Sequence, residues 1–265
     1  MKKVLLHFVG LLILFFGTWF LLSKIDFVKR FEIDRLTKEN ERKIADWTLN
    51  EIRGENPYLE SDTVQAFVEG IRNRLCEANG IVDTSVTIHI LVQADINAFA
   101  LPGRNLVLYT GLIQYCKTPE ELAGVLAHEI AHMEHEHVMK KVMKEVGLSM
   151  LTTIAGGEGG GEIGRQVLKL LTSSAFDRDQ ENEADNSAVQ YMAKADMDPE
   201  HFANFLFRLS QEKGDIPRNF ALLVTHPNSK DRASEILKLR KKESYRVTAI
   251  SDKRRWSAIK VLIRK

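Results

Sequence analysis

The pattern of apolar and polar positions divides the 265-residue chain into an apolar N-terminal run and a longer region of mixed pattern. Residues 4–22 are apolar apart from one titratable side chain, His7, and lysines flank the run on both sides. As a helix this run is about 28 Å long, close to the roughly 30 Å of a bilayer core. It also lacks the small-residue cleavage site of a signal peptide. The pattern therefore predicts an uncleaved membrane anchor within residues 1–25.

After the apolar run, the spacing of apolar residues alternates between helical and strand-like. Residues 26–56 have the charged amphipathic pattern of a helix that links the anchor to a folded domain. Helical spacing over 62–78 predicts a second helix, and β-branched residues in alternation over 86–90 and 106–109 predict strands. The glycine-rich stretch 152–164 predicts a loop, because glycine disfavours a regular helix. We expect an α+β fold that is mostly helical and contains a small antiparallel sheet.

The sequence His128-Glu129-Ile130-Ala131-His132 carries the most informative chemistry in the chain. Histidines four residues apart on a helix leave the same face one turn apart, so their rings can bind one zinc ion. Glu129 is then placed to accept a proton from water at the metal. The alternative is a solvated face, since more His and Glu residues follow. An N-cap at Thr118 and an apolar stripe favour a buried helix, in which these polar side chains need a partner.

A zinc peptidase of this type needs a third protein ligand. The metzincin pattern requires glycine and histidine where this chain has His135 and Val138, so that subclass is excluded. The other common solution is a glutamate from a later helix, and an acidic run about fifty residues on begins such a helix. We expect Glu183 to be the third ligand and Asp185 to fix the tautomer of a ligating histidine by accepting its hydrogen bond. Glu181 is expected to be a solvated charge.

The motifs around this helix resemble those of a known family, the zinc peptidases related to CAAX prenyl protease and the heat-shock protease HtpX. The similarity is greatest to the BepA-like and OMA-like branch of that family. It extends over roughly residues 60–240, in the family's order. The matching positions are residues 97–103, 108–112 and 178–185, His137, and Thr225-His226-Pro227 followed by Arg232. At Arg104 the family usually has a second glycine, which affects the predicted hairpin tip and not the metal site.

The resemblance implies a gluzincin-type metallopeptidase domain, which we place at residues 57–244, with one Zn²⁺ per chain. It leaves two roles open for His226. This histidine either donates a hydrogen bond to the tetrahedral oxyanion during catalysis or, as in the BepA-like branch, occupies the fourth zinc position and keeps the enzyme latent. The remaining alternative is a loop histidine before a proline, with no part in the chemistry. Peptidases of this architecture bind extended polypeptide along an exposed strand edge. The candidate edge strand consists of Asn97, Ala98, Phe99 and Ala100.

The predicted function is a membrane-anchored zinc endopeptidase that cleaves unfolded or misfolded polypeptides in envelope protein quality control. The alternative is a zinc-stabilised, chaperone-like protein that binds clients without cleaving them. Basic residues after the anchor favour a cytoplasmic domain. The resemblance instead implies a single-pass protein of the cell inner membrane whose catalytic domain is periplasmic.

Charge and cysteine content limit the partners less strongly. The formal net charge of +1 argues against nucleic acid as a partner. Residues 245–265 form a basic tail with interleaved apolar residues, which fits either a segment on anionic lipid or a terminal helix packed on the domain. Cys76 and Cys116 are compatible with one disulfide or with two buried thiols.

Overall fold

The computed structural model describes residues 33–82, 85–145, 159–212, 220–241 and 246–263, together with His7 and Leu12. Apart from these two positions, the predicted anchor at 4–22 lies outside the described residues. Among the helices that are described, none is long and apolar enough to cross a bilayer.

The chain divides into two compact units, residues 1–41 and 42–265. The second unit begins inside the predicted linker at 26–56, and buried side chains such as Ile44 and Ile52 place that part of the segment in the domain core. The bounds of the elements in the described part, in chain order, are α1 Ile33–Glu55, α2 Asp62–Asn79, β1 Thr87–Leu91, β2 Ala98–Leu101, β3 Asn105–Tyr109, α3 Thr110–Tyr115, α4 Pro119–Glu134, α5 Gly160–Ser173, α6 Arg178–Lys194, α7 Glu200–Ser210, α8 Ala221–Thr225, α9 Ser229–Arg240 and α10 Lys253–Ile263. Residues 137–145 are also helical.

The expected mostly helical α+β fold is present, but its sheet is mixed and not antiparallel as predicted. The order of the three described strands is β1-β3-β2, with β2 antiparallel and β1 parallel to β3. The chain reverses direction after β1 and again after β2, and β3 then lies between the two earlier strands. Neighbouring strands in space are therefore not always neighbours in sequence, and this placement cannot be recognised from alternation alone.

The tight turn between β2 and β3 explains the departure at Arg104. Gly103 and Arg104 have φ angles of 68° and 59°, in the left-handed region that favours glycine. The Arg104 guanidinium compensates for this by donating to Ser85 Oγ at 2.8 Å and by pairing with Glu134. The arginine thus connects the turn to the end of α4.

Helix α4 lies at the centre of the domain and contacts α2, α6, α7 and β2. Thr118 caps its N-terminus by accepting a hydrogen bond from the backbone N–H of Glu121, and Pro119 occupies the first helical position. Every residue from 119 to 133 is buried. The close approach of α7 requires Gly124, because a Cβ there would lie 2.4 Å from Cβ of Phe202.

The basic C-terminal segment predicted at 245–265 is part of the same compact unit as the domain core. Helix α10 buries Trp256, Ile259 and Ile263 against the domain. The Trp256 indole N–H donates to the backbone carbonyl of Lys117 at 3.1 Å. Of the two interpretations of this segment, the structure shows the packed terminal helix.

The glycine-rich stretch is helical in its second part, which corrects the loop prediction. Residues 152–158 lie outside the described residues, but α5 begins at Gly160. A Cβ on Gly160 would lie 2.4 Å from Trp47 Nε1, and one on Gly164 would lie 2.7 Å from the Trp47 carbonyl oxygen. These glycines allow α5 to approach α1 closely. Elsewhere in the domain, the side chains of Cys76 and Cys116 are both buried.

The contact between α4 and α7 predicts a matched pair of glycine substitutions. We expect Gly124→Ala to lower the free energy of unfolding by about 1–3 kcal/mol, because the added methyl overpacks the interface with Phe202. Gly70→Ala on α2, where nothing lies within 4 Å of the added Cβ, should raise it by about 0.5–1 kcal/mol through helix propensity. Urea unfolding of both variants in metal-free buffer measures this. Equal effects of the two substitutions would contradict the described helix contact.

Candidate metal centre

Three segments bring four potential metal-binding side chains together in the described structure. Helix α4 supplies His128 and His132, α6 supplies Glu181, and the residue after α8 is His226. One ligand atom of each side chain lies within 4.8 Å of the others, and all four are buried. The sequence predicted the two histidines of α4 and singled out His226, but it assigned no role to Glu181.

The distances between these ligand atoms fit a tetrahedral metal site. His128 Nε2 lies 3.1 Å from His132 Nε2 and 3.2 Å from His226 Nδ1. Glu181 oxygens lie 3.6 Å from His128 Nε2 and 3.5 Å from His132 Nε2. Ligands about 2.0–2.1 Å from a tetrahedrally coordinated zinc ion are about 3.3–3.4 Å from each other, which agrees with these separations.

The prediction that Glu183 is the third ligand is wrong. Its carboxylate is 54% exposed and lies beside His135 and His137, at 3.4 and 3.1 Å. Successive residues of a helix are separated by about 100°, so two residues along α6 turn the side chain to a nearly opposite face. Glu181 and Asp185 are four residues apart and share the face toward α4. That spacing was visible in the sequence and would have identified Glu181 once Asp185 was assigned to a ligating histidine.

The first histidine is held by a carboxylate and an arginine. His128 Nδ1 lies 3.0 Å from Asp185 Oδ1, the position that the role predicted for Asp185 requires. Arg232 donates two hydrogen bonds to Asp185, at 2.7 and 2.8 Å, and its Nη1 lies 2.6 Å from Glu181 Oε2. Burial alone would raise the pKa of Asp185, but Arg232 lowers it to about 2. The same guanidinium, with His226, holds the pKa of Glu181 well below its ordinary value against burial.

The second histidine is held by another histidine. His132 Nδ1 lies 3.0 Å from His137 Nδ1, and His137 Nε2 lies 3.1 Å from Glu183 Oε2. Burial lowers the pKa of His132 well below its ordinary value, so the ring is neutral and able to bind a metal. Phe176, which the sequence gave no reason to select, packs on the His132 ring with centroids 4.1 Å apart.

Glu129 is fully buried between the metal-binding cluster and the sheet. Its Oε2 accepts a hydrogen bond from the backbone N–H of Ala100 at 2.9 Å, and its Oε1 lies 3.3 Å from His226 Nε2. Burial raises the pKa of this carboxyl. The carboxylate does not belong to the group of metal-binding atoms, so it is free to handle protons beside it.

The predicted substrate strand lies at the edge of the described sheet, but it is not exposed. Tyr109 N donates to the Asn97 carbonyl, so in the antiparallel alternation Ala98 and Ala100 direct their backbone groups away from β3. This outer edge is covered, because Ile96 O accepts from Leu222 N and Ala100 N donates to Glu129. The side chains of Asn97, Ala98, Phe99 and Ala100 are all buried as well.

The donor set of the cluster fits a divalent cation. When the Nδ1 atoms of His128 and His132 donate to Asp185 and His137, the two Nε2 atoms, 3.1 Å apart, are both hydrogen-bond acceptors. Two buried lone pairs at this distance need a cation or a proton between them. Imidazole nitrogens with one carboxylate oxygen are the ligand types that zinc takes in peptidases.

Two ligating histidines one helical turn apart, a glutamate beside the first and a carboxylate from a second helix define a zincin-type metal centre. The sequence pattern of Peptidase family M48 matches residues 62–240, more than half of the chain, and the chain belongs to this family. The matched range lies within the domain predicted at 57–244.

Known proteins with detectable similarity agree with this assignment. A beta-barrel assembly-enhancing protease of Yersinia pestis is 26% identical over 218 residues, which cover 76% of this chain and 44% of that protein. The mitochondrial metalloendopeptidase OMA1 of Schizosaccharomyces pombe is 28% identical over 172 residues, 64% of this chain and 51% of that protein. The OMA1 metalloendopeptidase of Bos taurus is 30% identical over 198 residues, which cover 68% of this chain and 38% of that protein. The chain therefore spans about half the length or less of these curated relatives, and the resemblance to the BepA-like and OMA-like branch is confirmed.

The corrected ligand assignment predicts different metal contents for two neighbouring glutamate variants. We expect Glu181→Gln to lose stoichiometric zinc, because it removes a carboxylate from the cluster. Glu183→Gln should keep about one zinc per chain, since this side chain does not reach the shared point between the rings. Elemental analysis of both proteins, purified without chelator, is the measurement. Zinc retained by the first variant and lost by the second would restore the original assignment.

Proposed function

We propose that this chain is a membrane-anchored, zinc-dependent endopeptidase that cleaves unfolded or misfolded polypeptides. The observation that carries the proposal is the buried cluster of His128, His132 and Glu181 with the Glu129 carboxylate beside it. Membership of Peptidase family M48 supports a peptidase, and the names of its relatives support an endopeptidase.

The roles of the residues follow from their positions around the cluster. A zinc ion bound by His128, His132 and Glu181 supplies Lewis acidity, which lowers the pKa of water and polarises a carbonyl group. Glu129 accepts the proton of the attacking water and returns it to the departing amine. Arg232 and Asp185 keep the His128 ring oriented while these proton transfers take place.

His226 is best explained as a fourth ligand that holds the site closed. Its Nδ1 lies 3.2 Å from His128 Nε2 and 2.8 Å from Glu181 Oε1, so it belongs to the same group of metal-binding atoms. An oxyanion donor would instead leave the fourth position open and point toward a substrate carbonyl. Burial would lower the pKa of His226, but the carboxylates of Glu181 and Glu129 raise it. The arrangement supports the latency interpretation over the oxyanion interpretation.

The substrate would lie along the outer edge of β2 as an added strand. The backbone groups of Ala98 and Ala100 point to this edge, which suits pairing with an extended peptide. In the described state the segment around Leu222 and the Glu129 carboxylate cover the edge. Because Leu222 and His226 belong to one short segment, its displacement would uncover the strand edge and the fourth metal position together.

The cellular setting is proposed from the apolar run at 4–22 and from the relatives. A single N-terminal anchor in the inner membrane, with the domain in the periplasm, suits a protease that acts on misfolded envelope proteins. The beta-barrel assembly-enhancing proteases among the relatives support this setting by name. The bilayer contacts only the anchor in this proposal, and nucleic acid has no part in it.

The assignment of Glu129 predicts loss of activity with retention of metal. We expect Glu129→Gln to bind zinc like the wild type and to cleave unfolded casein about 10²–10⁴-fold more slowly, because the proton acceptor is absent. Zinc content and the initial rate of casein cleavage are measured on the same preparation. Asp179→Asn, a change at an acidic position in the first turn of α6 outside the cluster, serves as the control and should leave the rate unchanged.

The same experiment separates the peptidase from the alternative, a zinc-stabilised chaperone that binds clients without cleaving them. A chaperone would suppress aggregation of unfolded casein equally well in the wild type and the Glu129→Gln variant, with no cleavage by either. Cleavage by the wild type that survives Glu129→Gln would refute the role of this residue as the base.

The latency interpretation predicts a gain from removing His226. We expect His226→Ala to retain zinc through the remaining three ligands and to cleave casein faster than the wild type. If His226 acts as an oxyanion donor, the variant loses about 10²–10³-fold in kcat instead. Equal rates of the two proteins would remove both interpretations.

A further inference from the structure

A line of hydrogen bonds leads from the second histidine of the cluster to the protein surface. His132 Nδ1 lies 3.0 Å from His137 Nδ1, and His137 Nε2 lies 3.1 Å from Glu183 Oε2. His132 and His137 are buried, whereas the Glu183 side chain is 54% exposed. Neither His137 nor Glu183 belongs to the group of metal-binding atoms.

The direction of each hydrogen bond follows from the orientation of His132. With a cation bound at its Nε2, which faces the cluster, the ring proton of His132 is on Nδ1 and is donated to His137 Nδ1. The neutral His137 ring then carries its own proton on Nε2, which it donates to the Glu183 carboxylate. Each ring N–H then donates to one acceptor, and the tautomer of His137 matches that of His132.

The local fold explains how His137 reaches this place. Helix α4 ends at Glu134, and Glu136 takes a left-handed conformation with φ of 57° before residues 137–145 continue as a helix. This turn brings the His137 ring beside His132, with ring centroids 5.0 Å apart. On the other side, α6 supplies Glu183 from the face that does not point toward the metal-binding cluster.

The two histidines of α4 are therefore supported in different ways. His128 Nδ1 meets the carboxylate of Asp185 directly at 3.0 Å. His132 Nδ1 instead meets the imidazole of His137, which in turn contacts the carboxylate of Glu183. A carboxylate behind a ligating histidine orients the ring and raises its basicity, and loss of such a partner weakens metal affinity or activity by about 10–100-fold.

We propose that His137 and Glu183 act as a positioning pair that fixes the tautomer and orientation of His132 and thereby sets the zinc affinity of the site. The inference depends on the proposed zinc site. It gives Glu183 an indirect role, because two hydrogen bonds through His137 connect its carboxylate to His132.

His135 provides a matched control within the same cluster. Its Nδ1 lies 3.4 Å from Glu183 Oε1 and its Nε2 lies 2.8 Å from Ser187 Oγ, but its described partners do not include a metal-binding residue. A variant at this position changes the surroundings of Glu183 and of the His137 ring, on which His135 stacks with centroids 5.4 Å apart. It removes neither hydrogen bond of the connection from His132 through His137 to Glu183.

The test measures the zinc affinity of the 265-residue chain by competition with a chromophoric chelator, using Zn²⁺ alone as the probe. His137→Leu should weaken zinc binding by about 10–100-fold, and Glu183→Ala should weaken it by a smaller factor. His137→Asn, whose amide oxygen can replace Nδ1 as an acceptor, should recover part of the affinity lost in His137→Leu. His135→Asn should have a zinc affinity within about 2-fold of the wild type, since His135 does not hydrogen-bond to a metal-binding residue.

Thermal unfolding of the metal-free proteins separates positioning from a purely structural role. A positioning role leaves the metal-free Tm of Glu183→Ala and His137→Asn close to that of the wild type while their zinc affinities differ. Affinities of all variants equal to that of the wild type would overturn the inference and leave the zinc site itself unaffected. A wild-type chain that binds no zinc would overturn the proposed function as well, so the two failures are distinguishable.

Discussion

The burial of helix α4 on all sides is the constraint on which the site depends. A helix that carries two histidines and a glutamate can lie in a protein core only if neighbouring elements satisfy each polar atom. Helix α6 supplies Glu181 and Asp185 as partners. The segment after α8 supplies His226, and α9 supplies Arg232. The metal centre is therefore the consequence of packing one polar face of α4 where solvent cannot reach it.

Charge balance within this cluster supports the same conclusion. The carboxylates of Glu129, Glu181 and Asp185 surround the histidines, and Arg232 is the cation that contacts two of them. With all three carboxylates ionised and the histidines neutral, these groups and the guanidinium would carry a formal charge of −2, which one divalent cation would neutralise. Buried charges are tolerated when they are paired or coordinate metals, so a divalent ion meets the electrostatic need as well as the geometric one.

Local signals in the sequence predicted what local structure determines. The spacing of His128 and His132, the Thr118 cap and the helical stripe of α4 depend only on residues within a few turns, and the structure has all of them. The error at Glu183 concerned the rotation of α6, which is set by what the helix packs against. The three acidic residues between Glu181 and Asp185 place carboxylates on two nearly opposite faces of the helix, so composition alone did not determine which face points inward.

The other differences arise from contacts distant in sequence. β3 lies between β1 and β2 because of how the sheet packs, and alternation within each strand contains no information on neighbour order. The glycines at the start of α5 are required by the close contact with Trp47, which lies more than a hundred residues earlier in the chain. Covering of the β2 edge by the segment around Leu222 is likewise a tertiary contact. The sequence thus predicted the residue types of the site better than the tertiary contacts that surround and cover it.

The hydrogen bond between Ala100 and Glu129 has a consequence for the order of events in catalysis. One amide proton serves one carbonyl or carboxylate at a time, and this amide is on the strand edge where an extended peptide would align. An incoming chain that takes this amide for its own carbonyl releases the carboxylate at the same moment. In the proposed function, binding of a client strand and release of Glu129 Oε2 would then be a single exchange of acceptors at the Ala100 amide.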